Sequence, residues 1–161
     1  MNAHRKWAAA YKTGSLLVLQ ACSGNYRVAI DLQVEPLILP AGAVTCEELG
    51  HATRRALDAS RQMHSAELDA FLDPQKLQDR YELWVAALVK LGSFPDRVAL
   101  FADMRHCPIV DDGFEVAIQP TVHERPEAWS RLDVEFQIRT PNNASDAELG
   151  FAVRSALEQS R

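Results

Sequence analysis

The sequence predicts an α+β fold in which one antiparallel β-sheet-plus-helix unit occurs twice, with an extra helix between the copies. Three observations carry this expectation. A segment of the chain recurs at an offset of 100 residues, runs with turn signals precede each copy, and a capped amphipathic stretch separates them.

The repeat is the strongest of the three. Glu48-Leu-Gly-His-Ala-Thr-Arg-Arg-Ala-Leu-Asp-Ala-Ser-Arg61 aligns without gaps to Glu148-Leu-Gly-Phe-Ala-Val-Arg-Ser-Ala-Leu-Glu-Gln-Ser-Arg161, with nine of fourteen positions identical. Shared amphipathicity alone would match the apolar spacing but not also Gly50 with Gly150 and the closing Ser-Arg. Each copy opens with a hydroxyl three residues before a glutamate, Thr45 before Glu48 and Ser145 before Glu148, which is the capping-box spacing. Leu49, Ala52, Ala56 and Leu57, and their counterparts Leu149, Ala152, Ala156 and Leu157, then form an apolar stripe of helical period. A helical glycine costs about 1 kcal/mol relative to alanine. Gly50 and Gly150 therefore predict a close backbone approach, expected against a sheet.

The remaining elements follow in chain order. Lys6–Lys12, Ser15–Cys22, Tyr26–Leu32 and Pro36–Leu39 read as strands, the middle two joined by the turn Ser23-Gly24-Asn25. Asp73 is a helix N-cap, Pro74 suits the first helical position, and Gly92 ends the helix. Its inward face is Leu77, Tyr81, Trp84, Val85, Leu88 and Leu91. Beyond it, Arg97–Met104 is expected to be a strand. Asp111-Asp112-Gly113 turns Cys107–Val110 into Phe114–Gln119. Leu132, Val134, Phe136 and Ile138 alternate with polar residues as a half-buried strand should. The whole is expected to form a single domain over 1–161. The first repeat is placed at about 4–61, the linking helix at about 74–91 and the second repeat at about 96–161, each half on its own sheet.

Composition narrows the function. No apolar run approaches the roughly 18 residues of a membrane span, and Met1 to Lys12 lacks an apolar signal-peptide core. Three well-separated cysteines, Cys22, Cys46 and Cys107, suit free thiols in a reducing cytoplasm. Net charge is −5, and residues 96–161 hold twelve acids against seven bases. Such a half repels phosphate backbones and favours a basic protein partner.

Nucleotide-binding, hydrolase and zinc-protease signatures are missing. His106 and Cys107 are adjacent, so on a strand they face opposite ways and do not chelate one ion. His123-Glu124 stands near Trp129 without a nucleophile. The expectation is therefore no enzyme, no cofactor and no metal. Outward-facing polar groups remain: Asp111 and Asp112 on a hairpin tip, Glu115, Gln119, Asp133, Glu135 and Gln137 on strands, and Glu124 and Glu127 in a loop. Carboxylates so placed steer a basic partner, and Trp129 is either an aromatic anchor or a core residue.

The stretch from Tyr81 to Arg161 resembles the immunity proteins of bacterial contact-dependent growth inhibition (CDI), the CdiI family. The resemblance rests on Tyr81-Glu-Leu-Trp-Val85, Ala99-Leu-Phe-Ala-Asp-Met104 with Cys107 following, Ile118-Gln-Pro-Thr-Val-His-Glu124, Glu127-Ala-Trp129 and Ser145-Asp-Ala-Glu-Leu-Gly150. The first half carries it only through Glu48-Leu-Gly50. What it implies is a cytoplasmic inhibitor of the C-terminal toxin of a CdiA-type protein, the toxin an RNA-cleaving, basic nuclease, and a Whirly-like duplicated fold. The matching segments are scaffold-forming, so they assign no contact residue. The toxin-binding set Asp111, Asp112, Glu115, Glu124, Glu127, Trp129, Asp133 and Glu135 comes from charge and strand facing alone. Two other readings stay open: a single-stranded nucleic-acid-binding module, and a scaffold or regulator without a toxin.

Overall fold

The structure, a computed structural model, describes residues 4–161. Strands β1 (Lys6–Lys12), β2 (Leu16–Gly24), β3 (Val28–Ile30) and β4 (Leu37–Pro40) precede helices α1 (Cys46–Asp58), α2 (Ser65–Phe71), α3 (Pro74–Leu91) and α4 (Arg97–Ala102). Strands β5 (Arg105–Asp111), β6 (Glu115–Ile118), β7 (Thr121–Arg125), β8 (Ala128–Arg131) and β9 (Ile138–Pro141) follow, and helix α5 (Asp146–Gln159) closes the chain.

The two halves share one sheet, where a separate sheet for each was expected. Seven strands run β3-β2-β1-β5-β6-β9, with β4 also paired to β2, and every pairing is antiparallel. The join is β1 against β5, in register from Lys6 opposite Asp111 to Lys12 opposite Arg105. Alternation then divides the core. Ala8, Ala10, Leu17, Leu19, Cys107, Ile109, Val116 and Ile118 face α1 and α5. Ala9, Tyr11, Leu16 and Val18 face α3 and α4, where Trp84, Val85, Leu88, Leu100 and Phe101 meet them. Both glycine helices thus cover one sheet face, and the intervening helices cover part of the other.

Local chemistry explains the helices. Thr45 and Ser145 each form the complete capping box with Glu48 and Glu148. Asp73 accepts from the Lys76 N–H with Pro74 in the first turn. Gly50 and Gly150 mark a close approach, but to the opposite helix. A Cβ on Gly50 would overlap the Asp146 carbonyl, and one on Gly150 the Cys46 carbonyl. Arg54 donates to the Ala144 carbonyl, and Arg154 reciprocates to that of Val44.

Contacts in the two halves match at offsets of 99 to 101 residues. Leu16 pairs Pro40 as Glu115 pairs Pro141, and Leu19 pairs Leu37 as Ile118 pairs Ile138. The Ala41 N–H donates to Ser15 O as the Asn142 N–H does to Phe114 O. The Gln20 amide donates to Asp31 O, and the Gln119 amide to Leu132 O, both at 2.9 Å. One difference stands out: Pro120 occupies the place of Ala21. Strand β2 therefore runs on to pair with β3, whereas β6 stops and β7 pairs only with β8 in a separate two-stranded sheet.

That break accounts for a misread strand. With β6 ending at Ile118, residues 132–137 have no strand to pair with, and Val134–Phe136 forms a 3-10 turn. Arg97–Met104 is likewise helix rather than strand through Ala102. Asp96 caps it, and Leu100, Phe101 and Met104 bury at helical spacing. Only Val28–Ile30 of the expected strand 26–32 is paired, Leu91 lies exposed, and α2 carries no signal that the sequence reading used.

Candidate interaction surface

The eight residues assigned to binding from sequence separate into two kinds. Asp111 is buried, not outward: both of its carboxylate oxygens accept from the Asn142 amide at 2.7 Å, and one from the Gly113 N–H at 2.8 Å. It holds the β5–β6 hairpin to the loop after β9. Glu127 is half-buried and bound by the Arg97 guanidinium at 2.6 and 2.8 Å and by the Tyr81 hydroxyl at 2.7 Å. The Arg97 hydrogen bonds hold its carboxyl below the usual range. Trp129 is half-buried, donating its indole N–H to Met104 O and stacking on His123 at 4.7 Å between centroids. Those three hold the fold together. Gln119 is buried as well, its amide used by Leu132.

The others face water to differing degrees. Asp112 caps the hairpin turn, accepting from the Phe114 and Glu115 N–H groups, and the Glu115 bond first keeps its carboxyl acidic. Glu115 is half-buried in an ion pair with Arg139. Glu124, Asp133 and Glu135 are exposed. Because 133–136 is a turn, Asp133 and Glu135 do not share a strand face, and Val134 and Phe136 are 74% and 41% exposed instead of buried. Phe114 at 82% and Phe151 at 65% are exposed as well, as are Tyr26, Val28, Leu83, Leu91 and Val98 elsewhere on the surface. Sequence reasoning missed Val134 and Phe136 because it placed them in the core stripe, and it gave Phe114 and Phe151 no role beyond their strand and helix.

His123 and His106 are both engaged in packing. The His123 ring nitrogen Nε2 lies 2.8 Å from Pro126 O, and its ring is stacked on Trp129. His106 is packed between Tyr11 and Trp129, and burial pushes its pKa down to about 4, with the Arg131 charge adding to the shift. Among the described residues no group of three His, Cys, Asp or Glu side chains is placed to hold a metal ion. No helix among them is long and apolar enough to cross a membrane.

Comparison with known proteins gives this arrangement a family. The fold is that of a protein of unknown function from Neisseria meningitidis, 31% identical, with a TM-score of 0.95 over 100% of this chain and 98% of that one. It is also that of a chain in a CdiA-CT/CdiI toxin and immunity complex from Yersinia pseudotuberculosis, with 24% identity, a TM-score of 0.88 and 98% of each chain covered. The immunity protein CdiI-YPIII of Yersinia pseudotuberculosis serotype O:3 is 27% identical across 95% of this chain and 94% of its own length. The CDI immunity protein model, CdiI, matches residues 6–160, so the chain belongs to that family.

Proposed function

We propose that this chain is the immunity protein of a contact-dependent growth inhibition system, binding the C-terminal toxin of its cognate CdiA-type effector in the cytoplasm of the cell that makes it. The family match over residues 6–160 carries the reading. The likeness to a chain of the Yersinia toxin and immunity complex supports a toxin as the partner. The protein acts as one unit and by occupancy, without a reaction of its own. The toxin is read as a basic nuclease, RNA-cleaving by the family resemblance. An enzyme that grips phosphate presents basic groups, and the acidic second half of this chain competes for them. The matched contacts of the two halves support descent from one duplicated, Whirly-like unit.

Of the eight residues first assigned, Glu124, Asp133, Glu135 and the hairpin-tip Asp112 keep a binding role. Asp111, Glu127 and Trp129 act through the fold, and Glu115 through its pairing with Arg139.

The experiment is titration of the purified chain with the C-terminal domain of the CdiA-type protein encoded beside it, followed by toxicity with and without the chain. A tight one-to-one complex and loss of toxicity are expected. Failure to bind at micromolar concentrations, or binding that leaves toxicity intact, overturns the reading.

A further inference from the structure

The two halves offer an internal control for which surface residues the fold itself requires. At corresponding positions, matched by a backbone contact for Phe114, by counting between matched contacts for Val134 and Phe136, and by the helix repeat for Phe151, one half carries polar groups and the other apolar groups. Phe114 corresponds to Ser15, since each carbonyl accepts the N–H that follows the paired strand. Ile138 corresponds to Leu37 through their pairing with Ile118 and Leu19, and the Leu132 and Asp31 N–H groups bond Pro120 O and Ala21 O. Counting along that segment places Val134 at Gln33 and Phe136 at Glu35. Phe151 corresponds to His51 in the helix repeat. All four first-half residues are exposed. The fold accepts polar side chains there, so it does not require Phe114, Val134, Phe136 and Phe151.

Those four residues belong to segments that adjoin one element. Strand β9 is the outermost strand at its end of the sheet, and its four residues span roughly 13 Å. Val134 and Phe136 precede it, and Phe114 lies at its far end through the Asn142 bond. Phe151 stands on α5 over a groove of about 580 Å³ whose walls include Ile138, Thr140, Ala152 and Ser155. Carboxylates rim the same region: Asp133 and Glu135 are exposed, Asp112 sits on the neighbouring tip, and Arg139 is neutralised by Glu115. Exposed apolar groups with carboxylates beside them are the anatomy of a protein-binding surface.

Resting on the immunity reading, we infer that Phe114, Val134, Phe136 and Phe151 are the apolar anchors that seat the toxin, and that the toxin surface filling this region is apolar at its centre and basic at its margin. The anchors set how long the complex lasts, while Asp133 and Glu135 set how fast it forms.

The test replaces each anchor by the residue its counterpart already carries. The variants are Phe114→Ser with Phe151→His, and Val134→Gln with Phe136→Glu, in the full chain. Mirror controls are Ser15→Phe with His51→Phe. Affinity for the CdiA-type toxin domain is measured by calorimetry, and unfolding by circular dichroism. The expected result is about a 100-fold loss of affinity in each anchor pair, with unfolding temperature unchanged and the mirror controls binding as wild type. Affinity held within threefold in both anchor pairs, while the wild type binds, overturns the anchors and leaves the immunity reading standing. A wild type that does not bind the toxin removes both. Light scattering tests a second copy as the occupant: a wild-type dimer that the anchor variants turn monomeric overturns the inference. Hydrogen exchange in the complex gives an independent measurement: protection of 112–118 and 133–151 supports it, and protection confined to 1–61 overturns it.

Discussion

Gly50 and Gly150 lie under one another's helix entrances: each occupies the space beneath the carbonyl of the first residue of the other helix, Asp146 and Cys46. Two helices can come this near only where neither has a Cβ. Replacing either glycine by alanine gains about 1 kcal/mol of helix propensity but drives a methyl into rigid backbone, a larger loss. Gly50→Ala and Gly150→Ala are expected to lose about 2 kcal/mol or more each in urea unfolding, with the unfolding temperature falling by roughly 5 °C or more. An unchanged midpoint would show that the crossing relaxes freely.

A second prediction concerns Asp31, whose side chain is fully buried. Burial alone would raise its pKa. Hydrogen bonds from Arg61 at 2.8 and 3.0 Å and from the Ser23 hydroxyl at 2.6 Å outweigh that and hold it below the usual range. A depressed carboxyl adds stability above its unfolded pKa of about 4, lost as pH falls through the lower folded value. Arg61→Leu leaves the charge unpaired, costing about 3–5 kcal/mol. It also turns the sign round: the folded pKa then rises, so acidification from pH 7 to 5 should narrow the gap to wild type. A gap constant across that range would exclude Asp31 as its source.

His106 also loses stability on acidification, but by burial rather than by pairing. Its folded pKa of about 4 lies below the ordinary imidazole value of about 6.5, so the native ring stays neutral where the unfolded one takes a proton. Its contribution is present above pH 6.5 and is lost as pH falls toward 4. The limit is up to roughly 3 kcal/mol, reduced by the ring's partial exposure. Urea titrations at pH 7 and 5 should show this loss, and His106→Phe should flatten it.

The acidic residues of the second half should divide by experiment as they do by environment. Asp111→Ala and Glu127→Ala are expected to destabilise the fold by about 1–3 kcal/mol, through lost bonds to Asn142, Gly113, Arg97 and Tyr81. Asp133→Lys with Glu135→Lys should leave stability unchanged and slow toxin association several-fold, an effect that weakens at high salt. Stopped-flow association at two ionic strengths separates the groups. A stability loss in the lysine pair would place those residues in the fold.

Elements with local signatures could be read from the chain alone. Thr45/Glu48, Ser145/Glu148, Asp73-Pro74 and Asp112-Gly113 each fix their structure within four residues, and all stand where expected. What misled depended on distant partners. Nothing near Leu132–Ile138 announces that Pro120 has cut short the strand it would pair with. The apolar run 97–104 suits strand or helix until α3 and β1 are there to receive it. The Asp111–Asn142 bond spans 31 residues. The exposed apolar residues did leave a trace, because Phe151 stands opposite His51 in the repeat itself. Comparing the copies position by position, rather than for identity, is what makes it legible.

The seam between β1 and β5 has a consequence for how the protein comes into being. Lys12 must find Arg105, and Lys6 must find Asp111, which is made about 105 residues later. At ribosomal speeds of roughly 5–20 residues per second, β1 waits on the order of 5–20 s with one hydrogen-bonding edge bare. The centre of the sheet is therefore completed late in synthesis, and pairing over such separation is intrinsically slow. A cell relying on this inhibitor is guarded by molecules finished earlier, so protection should decay with the lifetime of the folded pool rather than follow the pace of new translation.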